Sequence, residues 1–438
     1  MTAFMPQAVT PERLTGTAIS GYAESRRKAG SAVSTLVSGI VDDVERRGFA
    51  AVREYTRRFD RADIRRERLA ASPREFSEAW ARVSRREKAA MCEMRDRIGS
   101  FAAAQKAAIS AVRQKTKDGA TTLAFIPVER VGIYVPAGRA PLFSSLFMAA
   151  IPAKAAGVGD IIVCTPAKKQ EGADPRILSA ARICGIKKVY KVGGAQAIAA
   201  MAFGLRGMFP GVDMICGPGN AYVNAAKQEI SSRSTVRIDV PAGPSEVLVI
   251  ADGSSPPAFA AADMLAQAEH GPDSAAVCIC TSERVADQVA LQLDRQLASL
   301  PPGNQARESI PKWGRIFIAG SVKQAVEAAN RLAPEHLELL IKDAKTTVPL
   351  VRNAGAVFIN TAEAFCDYGM SGGNHILPTG SASRAWGGVN VQSFGKWMYV
   401  DELCAGSQSR LAGISSTLAR MEGLEAHARA AEAREGGE

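Results

Sequence analysis

A chain of 438 residues is long for a single hydrophobic core and points to two or more domains. Its composition, 47% hydrophobic and 22% charged, is that of a soluble globular protein, and no apolar run approaches the roughly 20 residues of a membrane span. The net charge of +10 permits attraction to anions, but the basic residues are mixed with acids, as in Arg65-Arg66-Glu67-Arg68, without aromatic interleaving; this argues against a nucleic-acid surface and for solvated faces that could gather an anionic cofactor.

The first residues, MTAFMPQAVTPERL, lack the basic start and apolar core of a signal peptide. The eight cysteines are scattered, form no CxxC pair and lie mostly in apolar runs, which suits buried thiols in a reducing cytoplasm. From about residue 20 to 117 the pattern is helical: Ile40, Val41, Val44 and Phe49 recur at helical spacing, as do Phe76, Trp80 and Val83. Ser72-Pro73-Arg74-Glu75 is a helix start, with a capping Ser, Pro at the first position and an acid three residues on. This mainly helical region, 1–127, is expected to pack on the second of two α/β units.

At Val128 the style changes. VERVGIYVPAGRAPL is extended and glycine-rich, and a repeated rhythm follows: GDIIVCTP, KKVYKVGG and VDMICGPG read as strands, with helices from Phe147, Arg176 and Ala195 between them. Short apolar strands alternating with helices predict a parallel sheet covered on both faces, with ligands at the carboxyl ends of its strands. Gly193-Gly194-Ala195-Gln196 runs straight into a helix, so its amides could meet a phosphate; a tight turn explains such a loop equally well, and it is not the GxGxxG fingerprint.

The same rhythm resumes after Pro241-Ala242-Gly243-Pro244-Ser245, with strands at EVLVIAD, AAVCICTS, GRIFIAG, LELLI and AGAVFIN, which suggests two similar halves. The expected fold class is therefore α/β: Rossmann-like domains at 128–244 and 245–385, a helical N-terminal extension and a small C-terminal one at 386–438.

Chemistry-bearing residues concentrate in the second half. The chain has only four histidines, and each sits in a distinctive local pattern. In AADMLAQAEHGPDS, Gln267 and His270 are three apart and would share a helix face before Gly271-Pro272 ends the helix; they could bind metal or substrate, or His270 could merely answer the helix dipole. Glu335-His336 stands just before a strand, a carboxylate and an imidazole able to divide acid–base work. DYGMSGGNH is a glycine-rich loop bearing Asp367 and His375, and EGLEAH places Glu422 and His427 in a charged C-terminal helix where solvation alone would account for them.

Taken together these motifs resemble the histidinol dehydrogenase family. The resemblance rests on VGIYVPAGRAPL, GGAQAIAAMAFG, CGPGNAYVNAAK, PAGPSEVLVIAD, LAQAEHGPDS, APEHLEL, NAGAVFI, DY…GNHILPTG and EGLEAHARAAEAR, in family order from about residue 120 to the end. It implies a zinc- and NAD-dependent enzyme folded as two Rossmann-like units in an intertwined homodimer. It implies zinc ligands at Gln267, His270, Asp367 and, from the partner subunit, His427, which with His336 also contact the substrate. It implies acid–base catalysis by Glu335 and His336, substrate contacts at Ser245, His375 and Glu422, and cofactor contacts at Tyr134, Gln196 and Asn220. A nitrogen and oxygen donor set without thiolate suits Zn²⁺. The chain departs from the family's usual pattern at Pro136-Ala137-Gly138 and in WGGVNVQSFGKWM, around Trp386–Met398. Some family members oxidise other polar alcohols, including sulfonated diols, and Glu422 favours histidinol here. A non-catalytic metal- or nucleic-acid-binding protein, suggested by the charge, would need one of these residues lost, and none is.

Overall fold

The protein is described here by a computed structural model covering residues 8–28, 33–138, 140–168 and 172–435, so Arg139 of the glycine-rich turn lies outside the described residues. The chain opens with β1 (Glu12–Arg13) and the helices Gly16–Lys28, Ser34–Arg47, Pro73–Arg82 and Arg85–Ala108. At the start of Pro73–Arg82, Ser72 accepts from the Glu75 amide while the Glu75 carboxylate accepts from the Ser72 amide, the reciprocal cap the sequence announces.

Two strands then follow, β2 (Val112–Thr116), inside the stretch to about residue 117 that reads as helix, and β3 (Gly119–Pro127) just beyond it. Next come β4 (Arg130–Tyr134), β5 (Asp160–Thr165), β6 (Val189–Lys191), the small hairpin β7 (Gly204–Leu205) and β8 (Phe209–Pro210), β9 (Met214–Cys216) and β10 (Arg237–Ile238). Five of these form a parallel sheet in the order β10-β9-β4-β5-β6. The second half supplies β11 (Glu246–Ala251), β12 (Ala275–Cys280), β13 (Arg315–Ile318), β14 (His336–Leu340) and β15 (Ala356–Ile359), and with β1 they make a six-stranded parallel sheet ordered β1-β13-β12-β11-β14-β15.

Period-two alternation builds a core on each face of each sheet. In the first sheet Val131, Ile133 and Val163 face the helix Phe143–Ala156, while Ile162 and Cys164 face Gly194–Phe203. In the second, Val247 and Val249 meet Pro257–Ala268, and Leu248 and Ile250 meet Val322–Leu332. The mixed α/β class with parallel sheets is as the sequence implies.

The N-terminal helices do not pack as expected. Val37, Ile40 and Val41 join the core around Ile162, and Met91, Met94 and Ile98 join that around Val131; among these helices Gly16–Lys28 packs on the second sheet, through Ala18, Ile19, Tyr22 and Ala23. The cause is the helix Gly194–Phe203, whose residues Ala195 to Ala202 are all buried. A helix apolar all round cannot face water, so a further layer must cover it.

The last strand, β16 (Gly395–Leu403), pairs antiparallel with β3 along its whole length, from Gly395 opposite Pro127 to Leu403 opposite Gly119. The helices Ala405–Met421 and Glu425–Glu432 follow. Among the described residues no helix is long and apolar enough to cross a membrane.

Candidate active site

The helix Val322–Leu332 is stopped by Ala333 in a left-handed conformation and by Pro334, and β14 begins at His336. His336 lies in register with Val247 of β11 and Ala356 of β15. Leu337 and Leu339 point into the core on one face, so His336 and Glu338 share the other. The Glu335–His336 pair therefore stands at the amino end of β14, where its motif sets it at the start of the strand. The first sheet meets it there: Ser145, at the start of Phe143–Ala156, donates to His375 Nε2 at 3.0 Å, and the Asn374 amide donates to the Met148 carbonyl at 2.6 Å.

Glu335 and His336 are both buried. Glu335 Oε2 accepts from the Glu246 amide at 2.9 Å and from Gln267 Nε2 at 3.3 Å. His336 Nδ1 lies 3.1 Å from Glu363 Oε1 and 3.3 Å from Gln267 Nε2, and its Nε2 lies 3.6 Å from Asp367 Oδ1. Burial pushes the Glu335 carboxyl up to about 8, against the pull of His336. For His336 burial works against the charged ring, but Glu363 and then Glu335 outweigh it and push the imidazole up to about 10. A carboxyl and an imidazole with raised values can hold and release protons in the neutral to alkaline range. His375 donates Nδ1–H to the Asp367 carbonyl at 2.7 Å, which leaves Nε2 as the acceptor from Ser145. Burial is the main reason His375 titrates below its ordinary value, and the charges of His336 and His270 act in the same sense.

His336, Asp367 and His375 line one cavity of about 320 Å³, walled by β15 and by Cys366, Ser371 and Asn374. The enclosed atoms here without a hydrogen-bond partner include Gln267 Oε1, His336 Nε2 and Asp367 Oδ1, together with Glu338 Oε2 and both carboxylate oxygens of Glu363. An amide oxygen and a carboxylate oxygen left unpaired fit a divalent cation such as Zn²⁺, and the free imidazole nitrogen of His336 beside them can accept a proton. Among the described residues, His336, Glu363 and Asp367 form a histidine-and-acid group with ligand atoms within 4.8 Å of one another.

The structure thus brings together Glu335, His336, Gln267, Asp367 and His375. It does not bring in every candidate. The helix bearing Gln267 ends at Ala268, so His270 sits in the following turn, exposed and outside the acidic group. Glu422, in the turn between the C-terminal helices, and His427, on the last of them, are exposed and outside that group as well. Ser245 is half-buried beside β11, its carbonyl accepting from the Ala275 amide.

Tyr134, Gln196 and Asn220 lie at the carboxyl ends of the first sheet. The Tyr134 hydroxyl accepts from the Gly194 amide at 3.1 Å, and Asn220 caps Ala221–Arg233 by accepting from the Tyr222 and Val223 amides. Gln196 is fully buried with both ends of its amide unpaired.

Sequence reasoning missed Glu363, Glu338 and the role of Ser145. Glu338 had a visible signal, a charge inside an apolar strand two residues after His336. Glu363 and Ser145 had none. Glu338 is fully buried, accepts from the Glu363 amide at 2.8 Å, and is pushed well above the carboxylate range by burial and then by Asp263.

Comparison with known proteins gives one consistent picture. The family model for histidinol dehydrogenase matches residues 23–435. The histidinol dehydrogenase of Xanthomonas euvesicatoria pv. vesicatoria is 43% identical over 406 residues, 91% of this chain and 92% of the relative. That of Geobacter sulfurreducens is 41% identical over 411 residues, covering 92% and 93%. The crystal structure of histidinol dehydrogenase from Elizabethkingia anophelis superposes with a TM-score of 0.90 at 33% identity, covering 98% of both chains.

Proposed function

The chain belongs to the histidinol dehydrogenase family of oxidoreductases, and from that premise we propose that it oxidises L-histidinol to L-histidine through a bound aldehyde, in two successive NAD-dependent steps at a zinc site. The observation that carries this reading is the buried Glu335–His336 pair beside a cavity lined by His336 and Asp367, with the Gln267 amide against both members of the pair. Gln267 and Asp367 would hold the metal, joined by His270 from its turn and by His427 of the partner subunit. When bound, the metal supplies a positive anchor for the substrate's nitrogen atoms, and NAD accepts the hydride of each oxidation.

His336 takes the proton from the substrate hydroxyl as the carbinol carbon loses hydride and becomes an aldehyde. Glu335, buried behind it, takes a proton from water as that water adds to the aldehyde carbon, while His336 returns its proton to the aldehyde oxygen, so that the hydrate is neutral and the imidazole is free again. The hydrate then loses a second hydride, and its hydroxyl proton passes to His336, leaving the carboxylic acid. Glu363 holds the His336 ring through Nδ1. His375, neutral and oriented by the Asp367 carbonyl and Ser145, is the contact that fixes the substrate, with Ser245 and Glu422. Tyr134, Gln196 and Asn220 would contact NAD, which assigns the cofactor side to 128–244 and the metal side to 245–385.

An intertwined homodimer is part of the proposal. β16 and the helix after it present Trp397, Met398, Tyr399, Val400, Ile414, Leu418 and Met421 to solvent, a run of large apolar side chains that a partner subunit would cover. The same arm, 386–438, would carry Glu422 and His427 to the neighbouring site. Eight free cysteines support a cytoplasmic setting. The test is NADH formation with L-histidinol, before and after a chelator and after zinc is restored. Loss and recovery are expected; no NADH from the metal-loaded protein contradicts the reading.

A further inference from the structure

The turn at Gly193-Gly194 carries a third polar group, Asp60, which ends the helical segment Thr56–Asp60 far upstream. The Gly193 amide faces the Asp60 carboxylate, and a side-chain carbon placed on Gly193 would stand 3.0 Å from Asp60 Oδ2. That oxygen is enclosed and has no hydrogen-bond partner, like both ends of the Gln196 amide in the first turn of Gly194–Phe203. Three unpaired polar atoms therefore converge on one helix start, beside the Tyr134 hydroxyl. Burial raises the Asp60 carboxyl to about 6, with only the Gly193 amide acting the other way. An enclosed carboxylate without a cation is unfavourable unless something donates to it.

Sheets that bind dinucleotides use an acid to accept from a ribose hydroxyl, about 20 residues after the glycine turn. The acid at about that distance here, Asp213, instead accepts from the Arg130 amide at 2.8 Å. Asp60 stands at the turn in its place. Its position also says which ribose it would meet. β6, which leads into the turn, is an edge strand, two strands or about 10 Å from β4. The helix after β4 carries Ser145 against His375 at the catalytic cavity. A dinucleotide with its nicotinamide at that cavity extends its adenosine end toward Gly193.

We infer that Asp60 is a specificity-determining residue that accepts hydrogen bonds from the adenosine ribose hydroxyls and rejects a 2′-phosphate, so that the protein prefers NAD to NADP. The inference rests on the NAD-dependence proposed above. A carboxylate can accept from both hydroxyls of a cis-diol, whereas a phosphate there would face like charge.

The test measures dissociation constants of NAD, NADP and 2′-deoxy-NAD by equilibrium dialysis, on the full-length protein and on Asp60→Asn. The unaltered protein should bind NAD about tenfold or more tighter than either analogue, and in the variant both ratios should fall about tenfold. Because 2′-deoxy-NAD is read on the unaltered protein, the inference stays open to refutation even if the variant fails to fold. Equal affinity for NAD and 2′-deoxy-NAD overturns it. So does a variant that loses NAD affinity with the NADP ratio unchanged, since Asp60 would then meet another part of the cofactor. A protein that binds no nicotinamide nucleotide at all overturns the cofactor reading along with it.

Discussion

Glu338 shows how burial can tie one side chain to pH. It is fully enclosed in β14 and faces Asp263, and burial and then that neighbour push its carboxyl well above 4.5; Asp263 is itself raised to about 6, by burial. An acid raised on folding loses its proton first in the unfolded chain, so its contribution to stability falls as pH climbs from about 4.5 towards its folded value. Glu338→Gln should remove that component. Denaturant midpoints followed from about pH 5 to pH 8 should drop less in the variant than in the original chain, and an equal drop in both would mean that Glu338 is ionised when folded. At the centre of the site, His336→Asn should lower the rate of histidinol oxidation by a factor of about 10² to 10⁴ with the fold intact. An unchanged turnover number would remove His336 from proton transfer. Much of this site was legible because Gln267, Glu335, His336, Asp367 and His375 are polar residues set among apolar or glycine-rich neighbours. Glu363 was not, because a single acid at a helix start looks the same whether solvated or buried; Asp263 stood out in its alanine-rich run, but only the fold shows that the two converge on β14.

Among the elements, the loop after β9 is held by an ion pair from outside it. Lys227, in the helix Ala221–Arg233, and Asp239 pair in the interior; Lys227 also donates to the Gly217 carbonyl at 3.1 Å, and the Gly217 amide donates to Asp239 at 2.7 Å. Gly217 has φ +124°, and a methyl group on it would stand 2.1 Å from the Tyr134 carbonyl oxygen, so only glycine fits between β4 and β9. Lys227→Met leaves Asp239 charged and alone in the core and should cost on the order of 3–5 kcal/mol in chemical denaturation. A cost under about 1 kcal/mol would mean that water or rearrangement replaces the lysine. The parallel strands were readable as short apolar runs bounded by turns. β2 was not, since every residue of VRQKT is exposed and the segment is strand only through its pairing with β3. Ala221–Arg233 was missed for the opposite reason: its buried side includes Asn224 and Lys227, which blur the apolar stripe.

In the whole molecule the helix Phe143–Ala156 of the first half reaches residues that wall the cavity of the second, and a C-terminal arm is left exposed. If that arm seats on a second copy, Tyr399→Glu combined with Met421→Glu should convert dimers to monomers in sedimentation velocity and abolish histidinol oxidation. A dimer with unchanged activity would show that the arm serves another purpose. His427→Ala and Glu335→Gln proteins, each nearly inactive, should recover activity when refolded together, because some mixed dimers rebuild one intact shared site. His427 lies outside the acidic group in keeping with the proposed exchange of arms: motif spacing names the residues that act together but not the chain from which each arrives. The account as a whole depends on Glu335 and His336 dividing two oxidations between them. Its most direct test is the number of NADH formed per histidinol in a single turnover with enzyme and NAD in excess. The original chain should give two, and Glu335→Gln should give one and stop at the aldehyde. One NADH from the original chain, or two from the variant at an unaltered rate, would contradict it.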